Sequence, residues 1–394
     1  MYIARALSKA FQDSRKGFPA VMITGPRQSG KTTFLRHEAA DAAYVSFDDP
    51  MQRRFAAEDP NGFLDQFKDR PLAIDEAQYV PELFSYLKMR IDARRGRHGQ
   101  YFLTGSQQFQ MMKHLGDSLA GRISILELYP FSHEEVFEHK RRPIEDLLWL
   151  GGYPDVVLHP QNRDAWFNSY IQTYVQRDVR QLQNVQDLRS FETFLGLCAA
   201  RHGQCLNRAE VSRDCGVSQP ALKDWESVLY ASYIIRHLPP YFQHFGKRLV
   251  KTPKLYFADS GLAAWLTRQP APDALFRGAM GGAFFEGLVV MEAYKALAEK
   301  GRGSDLYFWR SHDGLEVDLL IQLQGKILPV EIKQTATPRM EHIAPLQRFI
   351  DLAGPGGSGE GLVVCCVSET KKLSRAVTAL SWKDFPGWLR DRLS

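Results

Sequence analysis

Gly25-Pro26-Arg27-Gln28-Ser29-Gly30-Lys31-Thr32 is the stretch from which the rest of the chain is read. An apolar run, PAVMIT (19–24), leads into it, and Thr33-Phe34-Leu35-Arg36 opens a helix after it. The octapeptide fits G-x-x-x-x-G-K-[ST], a loop whose glycines let backbone N–H groups wrap phosphate oxygens beside a helix N-terminus. In such a loop Lys31 reaches the β- and γ-phosphates and the Thr32 hydroxyl ligates Mg²⁺. The segment Gly25–Thr33 is therefore the predicted nucleotide cradle.

Outward from the loop, AAYVSF (42–47), RPLAID (70–75), GQYFLTG (99–105) and RISILELYP (122–130) read as further short strands. Strands separated by helix-length segments predict an α/β fold with a mostly parallel sheet covered on both faces. Asp75 and Glu76 sit at the C-terminal tip of one of these strands. Alone, the pair reads as a solvated strand exit. With a phosphate loop upstream, Asp75 is expected to hold Mg²⁺ through water while Glu76 orients the attacking water. The pattern predicts binding and hydrolysis of ATP with Mg²⁺.

Composition sets the frame for the remainder. The chain has 394 residues, too many for one ordinary domain, and 44% hydrophobic residues, which excludes wholesale disorder. No apolar run is long enough to span a bilayer, and the start lacks a secretory pattern. Five cysteines (198, 205, 215, 365 and 366) form no C-x-x-C pair, so a reduced, cytoplasmic protein without membrane contact is expected. Breakers divide the chain into an ATPase core (1–130), a helical lid (131–186), a helix-turn-helix segment with a wing (187–268) and a last domain (282–394). The Pro-, Ala- and Gly-rich stretch Arg268–Gly282 reads as a linker.

Charge is concentrated in one segment. Residues 187–270 hold 11 Lys+Arg against 7 Asp+Glu, while 282–394 hold 14 of each. Asn207 caps a short helix, and after a turn with Gly216 and Val217, Ser218-Gln219-Pro220 opens a second helix read as ALKDWESVLYASYIIRHL (221–238). Lys247, Arg248, Lys251 and Lys254 then form a basic wing suited to phosphate backbones. Asp224 and Glu226 on the second helix disfavour deep groove insertion, and winged helices also serve protein contacts.

LEVDLLIQL (315–323) and KILPVEIK (326–333) flank the two-residue turn Gln324-Gly325. Closing this hairpin sets Leu323 against Lys326, Asp318 against Glu331 and Glu316 against Lys333. Two facing carboxylates need compensation, from Lys333 or from a divalent cation such as Mg²⁺. Asp318 and Glu331 are the candidate metal ligands; a salt-bridged hairpin face is the alternative.

Beyond these readings, a DE-tipped strand followed by FLTGS (102–106) and Ser118-Leu119-Ala120-Gly121-Arg122 resembles the AAA+ ATPases. GGYP (151–154), Tyr174–Val179 and KLYFADSGL (254–262) narrow the likeness to a prokaryotic AAA+ family with a C-terminal domain of unknown function. That resemblance implies Thr104 or Ser106 as a polar sensor and Arg122 as an arginine finger acting on a neighbouring subunit. It implies a homo-oligomer, a dimer or a ring such as a hexamer; a surface or capping role for Arg122 is the alternative. Arg163 or Arg177 would be a lid sensor. The set Glu286, Asp318, Glu331 and Lys333 resembles the PD-(D/E)xK nuclease fold, in which the acids bind metal and the lysine serves the phosphate. Together these imply an ATPase acting on nucleic acid, DNA ahead of RNA. The rival is a nucleotide-driven switch or protein remodeller whose inactive nuclease-like domain serves assembly.

Overall fold

The computed structural model describes residues 2–105, 119–174, 188–241, 252–302, 305–311 and 313–393. The chain forms two units: one is Met1–Phe131 with Ala231–Tyr233 and Ala298–Gly301, and the second is the remainder.

In the first unit, all five predicted strands form: β1 (Ala20–Thr24), β2 (Ala43–Ser46), β3 (Leu72–Asp75), β4 (Tyr101–Thr104) and β5 (Ile123–Glu127). They build one parallel sheet in the order β2-β3-β4-β1-β5. Alternation within β1 explains why the strands read as continuous apolar runs. Ala20 and Met22 join one core with Phe63, Leu83 and Leu87, while Val21 and Ile23 join another with Phe11, Phe34 and Leu126. The sheet order puts β4 between β1 and β3, so the tip of β4 lies between the phosphate loop and the Asp75 strand. Gly25 has φ +146°, and a Cβ there would meet Leu128 O at 2.2 Å. Only glycine lets the loop turn this close to the exit of β5.

The second unit opens with four helices, His133–His139, Ile144–Leu150, Pro154–Leu158 and Arg163–Tyr174. Next come the helix Leu188–Ala200, β6 (Gln204–Cys205), and the helices Arg208–Cys215 and Gln219–Ala231. Asn207 caps the first of this last pair, Gly216 ends it with φ 68°, and the Ser218 hydroxyl accepts from Ala221 N. The second helix stops at Ala231, short of its expected end at 238. Residues Ile235–Leu238 are instead a strand, β7, pairing antiparallel with β8 (Lys254–Phe257), which also pairs with β6. The β-branched, fully buried Ile234 and Ile235 pack in this sheet region, where pairing overrides the helical reading.

At two expected boundaries the packing is continuous. The segments read as lid and helix-turn-helix share one core: Leu148, Tyr153 and Phe167 pack with Phe191, Phe194, Trp225, Leu255 and Leu262. The expected linker Arg268–Gly282 is folded, with a helix at Pro272–Arg277 whose Leu275 is fully buried in the same core. Its prolines and glycines mark helix ends rather than loose chain. The GGYP and ADSG motifs lock together as well. Asp259 caps the helix Ser260–Leu266 and accepts from Gly152 N at 2.7 Å, and a Cβ on Gly151 (φ +73°) would strike its carboxylate at 2.3 Å.

The last part has the helix Gly281–Ala298, then β9 (Leu306–Arg310), β10 (Glu316–Leu323) and β11 (Lys326–Lys333). The helix Ala344–Ala353, β12 (Gly361–Cys365), β13 (Lys371–Lys372), β14 (Val377–Ser381) and the helix Phe385–Arg392 follow. The sheet is mixed, ordered β13-β14-β12-β11-β10-β9. The hairpin register matches expectation, with Leu323 on Lys326 and Leu319 on Val330, across a turn with φ 49° at Gln324 and 79° at Gly325.

Leu275→Ala tests whether 268–282 is part of the core. It should lower unfolding free energy by about 2–5 kcal/mol in urea denaturation. A change below about 0.5 kcal/mol, the scale of surface substitutions, would restore the linker reading.

Candidate functional site

The first site is built around Asp75, buried at the tip of β3. Thr32 Oγ1 donates to its Oδ2 at 2.8 Å from the first turn of the helix Lys31–Glu38, and Tyr44 Oη donates to the same oxygen at 2.8 Å from β2. Thr104 Oγ1 donates to Oδ1 from the tip of β4, and accepts from Glu76 N at 3.2 Å. Thr32, Asp75 and Thr104 are thus brought together as expected. Tyr44 is a partner that the sequence reading missed. Burial, with the facing Asp75 carboxylate adding to it, pushes the Tyr44 phenol up to about 12, so it remains a donor at neutral pH.

Glu76 takes the left-handed conformation, φ 55°, and its carboxylate accepts from Gln78 Nε2. A bulky residue at positive φ costs energy that the surrounding contacts offset, and such strain gathers at functional positions. Lys31 is buried, and its ammonium donates to Gly25 O at 3.1 Å and Pro26 O at 2.7 Å. Gly30, at φ 93°, begins the helix without a side-chain cap. Arg5 braces the loop by donating to Ser29 O at 3.0 Å and Tyr129 O at 2.6 Å. Ser29 Oγ is buried with no hydrogen-bond partner among the described residues. An uncapped helix start, a glycine-tight loop, a buried lysine and a hydroxyl–carboxylate pair fit a nucleoside triphosphate with Mg²⁺.

Other predicted residues fall elsewhere. Arg122 makes a bidentate pair with Asp92 of its own chain, at 2.8 and 3.0 Å, and also donates to Ala120 O. Arg163 is buried, with its guanidinium 3.7 Å from the centre of the Trp149 ring and donating to Trp149 O, so it is committed to core packing. Ser106, Arg177, Lys247, Arg248 and Lys251 lie outside the described residues.

The second site is the hairpin. Asp318 and Glu331 are buried, and Lys333 Nζ bridges them at 3.0 Å (Asp318 Oδ2) and 2.7 Å (Glu331 Oε1). Glu286 joins them from the helix Gly281–Ala298, so the four expected residues do converge. A further cation was not expected there. Lys254 is not on the surface of a wing: it is 4% exposed and pairs with Glu286 at 2.8 Å and Glu316 at 2.6 Å. Burial works against its charge, but Glu286, Asp318 and Glu316 outweigh it and hold the ammonium's pKa above the ordinary lysine value. One oxygen of each carboxylate expected to ligate Mg²⁺, Asp318 Oδ2 and Glu331 Oε1, is thus taken by Lys333. No group of three or more His, Cys, Asp or Glu side chains placed to hold a metal ion occurs among the described residues.

With this geometry in hand, comparison with known proteins places the chain. Residues 17–137 match a family described as AAA domain; 141–273 and 281–385 match two domains of unknown function, DUF8612 and DUF4143. The uncharacterized proteins Rv2008c of Mycobacterium tuberculosis and Mb2031c of Mycobacterium bovis are each 33% identical over 325 residues, covering 81% of this chain and 71% of theirs. The chain belongs to their family. Its N-terminal part is an AAA-type ATPase domain, consistent with the parallel P-loop sheet. Among solved structures, the Walker-type ATPase PABY2304 of Pyrococcus abyssi aligns at 16% identity with TM-score 0.46, covering 67% of this chain and 96% of that one. AMPPCP-bound DnaA from Aquifex aeolicus aligns at 14% identity with TM-score 0.31, covering 57% and 84%. The match at 141–273 takes in most of the segments read as lid and helix-turn-helix, as their shared core does. No helix among the described residues is long and apolar enough to cross a membrane.

Burial, with Asp318 adding to it, pushes the Glu331 carboxyl up to about 8. The folded chain therefore keeps a proton that the unfolded carboxyl releases at its ordinary value of 4.5, and this contribution to stability fades as pH rises through about 8. Glu331→Gln removes the titration. Between about pH 5 and pH 8 the variant should gain on the wild type, by at most a few kcal/mol, in urea denaturation series. A stability difference that does not change with pH would contradict the assignment.

Proposed function

We propose that the chain is an ATP-binding and ATP-hydrolysing protein that uses nucleotide turnover to govern its hold on nucleic acid, DNA ahead of RNA. The observation that carries the ATPase chemistry is the convergence of Thr32, Tyr44 and Thr104 on Asp75 beside an uncapped helix start. In this reading Gly25–Thr33 cradle the phosphates, and Lys31 leaves the Gly25 and Pro26 carbonyls for the β- and γ-oxygens. Thr32 and Asp75 hold Mg²⁺, which supplies charge neutralisation at the phosphates. Glu76 orients the attacking water and Thr104 fixes its backbone. Arg122, exchanging Asp92 for a neighbour's γ-phosphate, would act in a homo-oligomer such as a hexameric ring.

The nucleic-acid part rests on the helix–turn–helix 208–231 followed by the β7–β8 ribbon, the element order of a winged helix. The helix, three strands, helix and strand from Gly281 to Cys365, with Glu286, Asp318, Glu331 and Lys333 drawn together, support a nuclease-like fold. The placement of Lys254 among those carboxylates favours the second reading for that domain: a nucleotide-driven switch or remodeller in which the nuclease-like fold serves assembly.

Lys31→Ala should abolish tight ATP binding in an equilibrium titration. Glu76→Gln should bind ATP within a few-fold of wild type yet turn it over roughly 10²-fold more slowly. Equal turnover in Glu76→Gln and wild type would remove Glu76 from the chemistry. Binding to labelled duplex DNA should weaken steeply as salt rises, and DNA that fails to bind even at low salt would refute the nucleic-acid reading.

A further inference from the structure

Four carboxylates and two lysines meet in one largely buried cluster of the second unit. Glu286 comes from the helix Gly281–Ala298, Glu316 and Asp318 from β10, and Glu331 and Lys333 from β11. Lys254 enters from another sheet, on β8, a strand whose partners are β6 and β7. Its Nζ lies 2.8 Å from Glu286 Oε1, 2.6 Å from Glu316 Oε1 and 4.0 Å from Asp318 Oδ1. Tyr256, two residues along the same strand, donates its hydroxyl to Glu286. One face of β8 thus sends both an ammonium and a phenol into the cluster.

A hard divalent ion would need these same oxygens, at about 2.0–2.6 Å, and the same negative charge. The charge is already answered. Lys254, Lys333 and Arg310, the last 3.6 Å from Glu316, face Glu286, Glu316 and Asp318. Glu331, which Lys333 also pairs through Oε1 at 2.7 Å, is 4% exposed, and its Oε2 has no hydrogen-bond partner among the described residues. That orphan oxygen is what an added cation would engage.

We propose that Lys254 is the resident cation of this cluster: its ammonium takes the place of a divalent metal ion, closes the site to metal, and anchors the β7–β8 ribbon on the C-terminal domain. The cluster is then an internal ion-pair joint, and removing Lys254 uncovers a divalent-cation site made of Glu286, Asp318 and Glu331. Nothing in this depends on the ATPase reading, and the experiment contains no nucleotide.

The test uses the full chain and Mn²⁺ alone, with free Mn²⁺ followed by electron paramagnetic resonance. Wild type, Asp318→Asn, Lys254→Met and the double variant Lys254→Met/Asp318→Asn are compared, with folding checked by circular dichroism. The proposal predicts that wild type binds no more Mn²⁺ than Asp318→Asn. It also predicts that Lys254→Met gains an additional Mn²⁺ site, which the double variant loses. Mn²⁺ binding by the wild type that Asp318→Asn abolishes would overturn the proposal, as would a folded Lys254→Met that gains nothing. If Lys254→Met does not fold, the comparison of wild type with Asp318→Asn decides by itself. Failure of these outcomes leaves the Lys31 and Glu76 predictions untouched, and the converse also holds.

Discussion

A carboxylate buried at a strand tip must be met by donors, and Asp75 is met by three. Thr32, Tyr44 and Thr104 bring hydroxyls to it from a helix and two strands that are far apart in sequence. Leaving such a group short of donors costs about 1–3 kcal/mol or more, so the three hydroxyls act as a constraint on where their elements end. The first turn of the helix after the phosphate loop, the register of β2 on β3 and the tip of β4 are all fixed by it. The sheet order makes this feasible, because β4 separates β1 from β3 and carries Thr104 into the gap. The proposed ATPase chemistry uses that geometry: the hydroxyl and carboxylate that order the site are the pair proposed to hold Mg²⁺.

The second unit solves a similar problem with a different partner. Asp318 and Glu331 lie on the two strands of one hairpin and share one lysine, where like charges repel. Lysines from β11 and β8 stand between and beside them. A buried ion pair is weak evidence for stability, but removing one member strands a charge, and the cost of that is several kcal/mol. Such a joint therefore specifies which strand docks where. It also changes the meaning of the basic middle segment, since one of its lysines is spent internally.

Much of this was legible in the sequence, where local chemistry leaves little choice. The phosphate loop, the five parallel strands and the register of the hairpin follow from glycines, apolar runs and the turn Gln324-Gly325. What was not legible depends on long-range partners. Nothing beside Tyr44 signals that its hydroxyl meets Asp75, since their contact arises only when β2 pairs with β3. Lys254 reads as a wing cation because three other basic residues lie nearby in sequence; only its position at the head of an apolar strand, Lys254-Leu255-Tyr256-Phe257, hinted at burial. Residues 235–238 continue a helical pattern and become a strand because β8 offers a partner. The stretch 268–282 has linker composition, yet Leu275 finds a core.

The central claim is that Asp75, organised by its three hydroxyl donors, makes the N-terminal unit a Mg²⁺-dependent ATP site. Its most direct test is the affinity for ATP with and without Mg²⁺, in wild type and in Asp75→Asn, by calorimetric titration. The account predicts that Mg²⁺ strengthens ATP binding to the wild type and leaves Asp75→Asn nearly unchanged. An equal Mg²⁺ effect in the two proteins would contradict it.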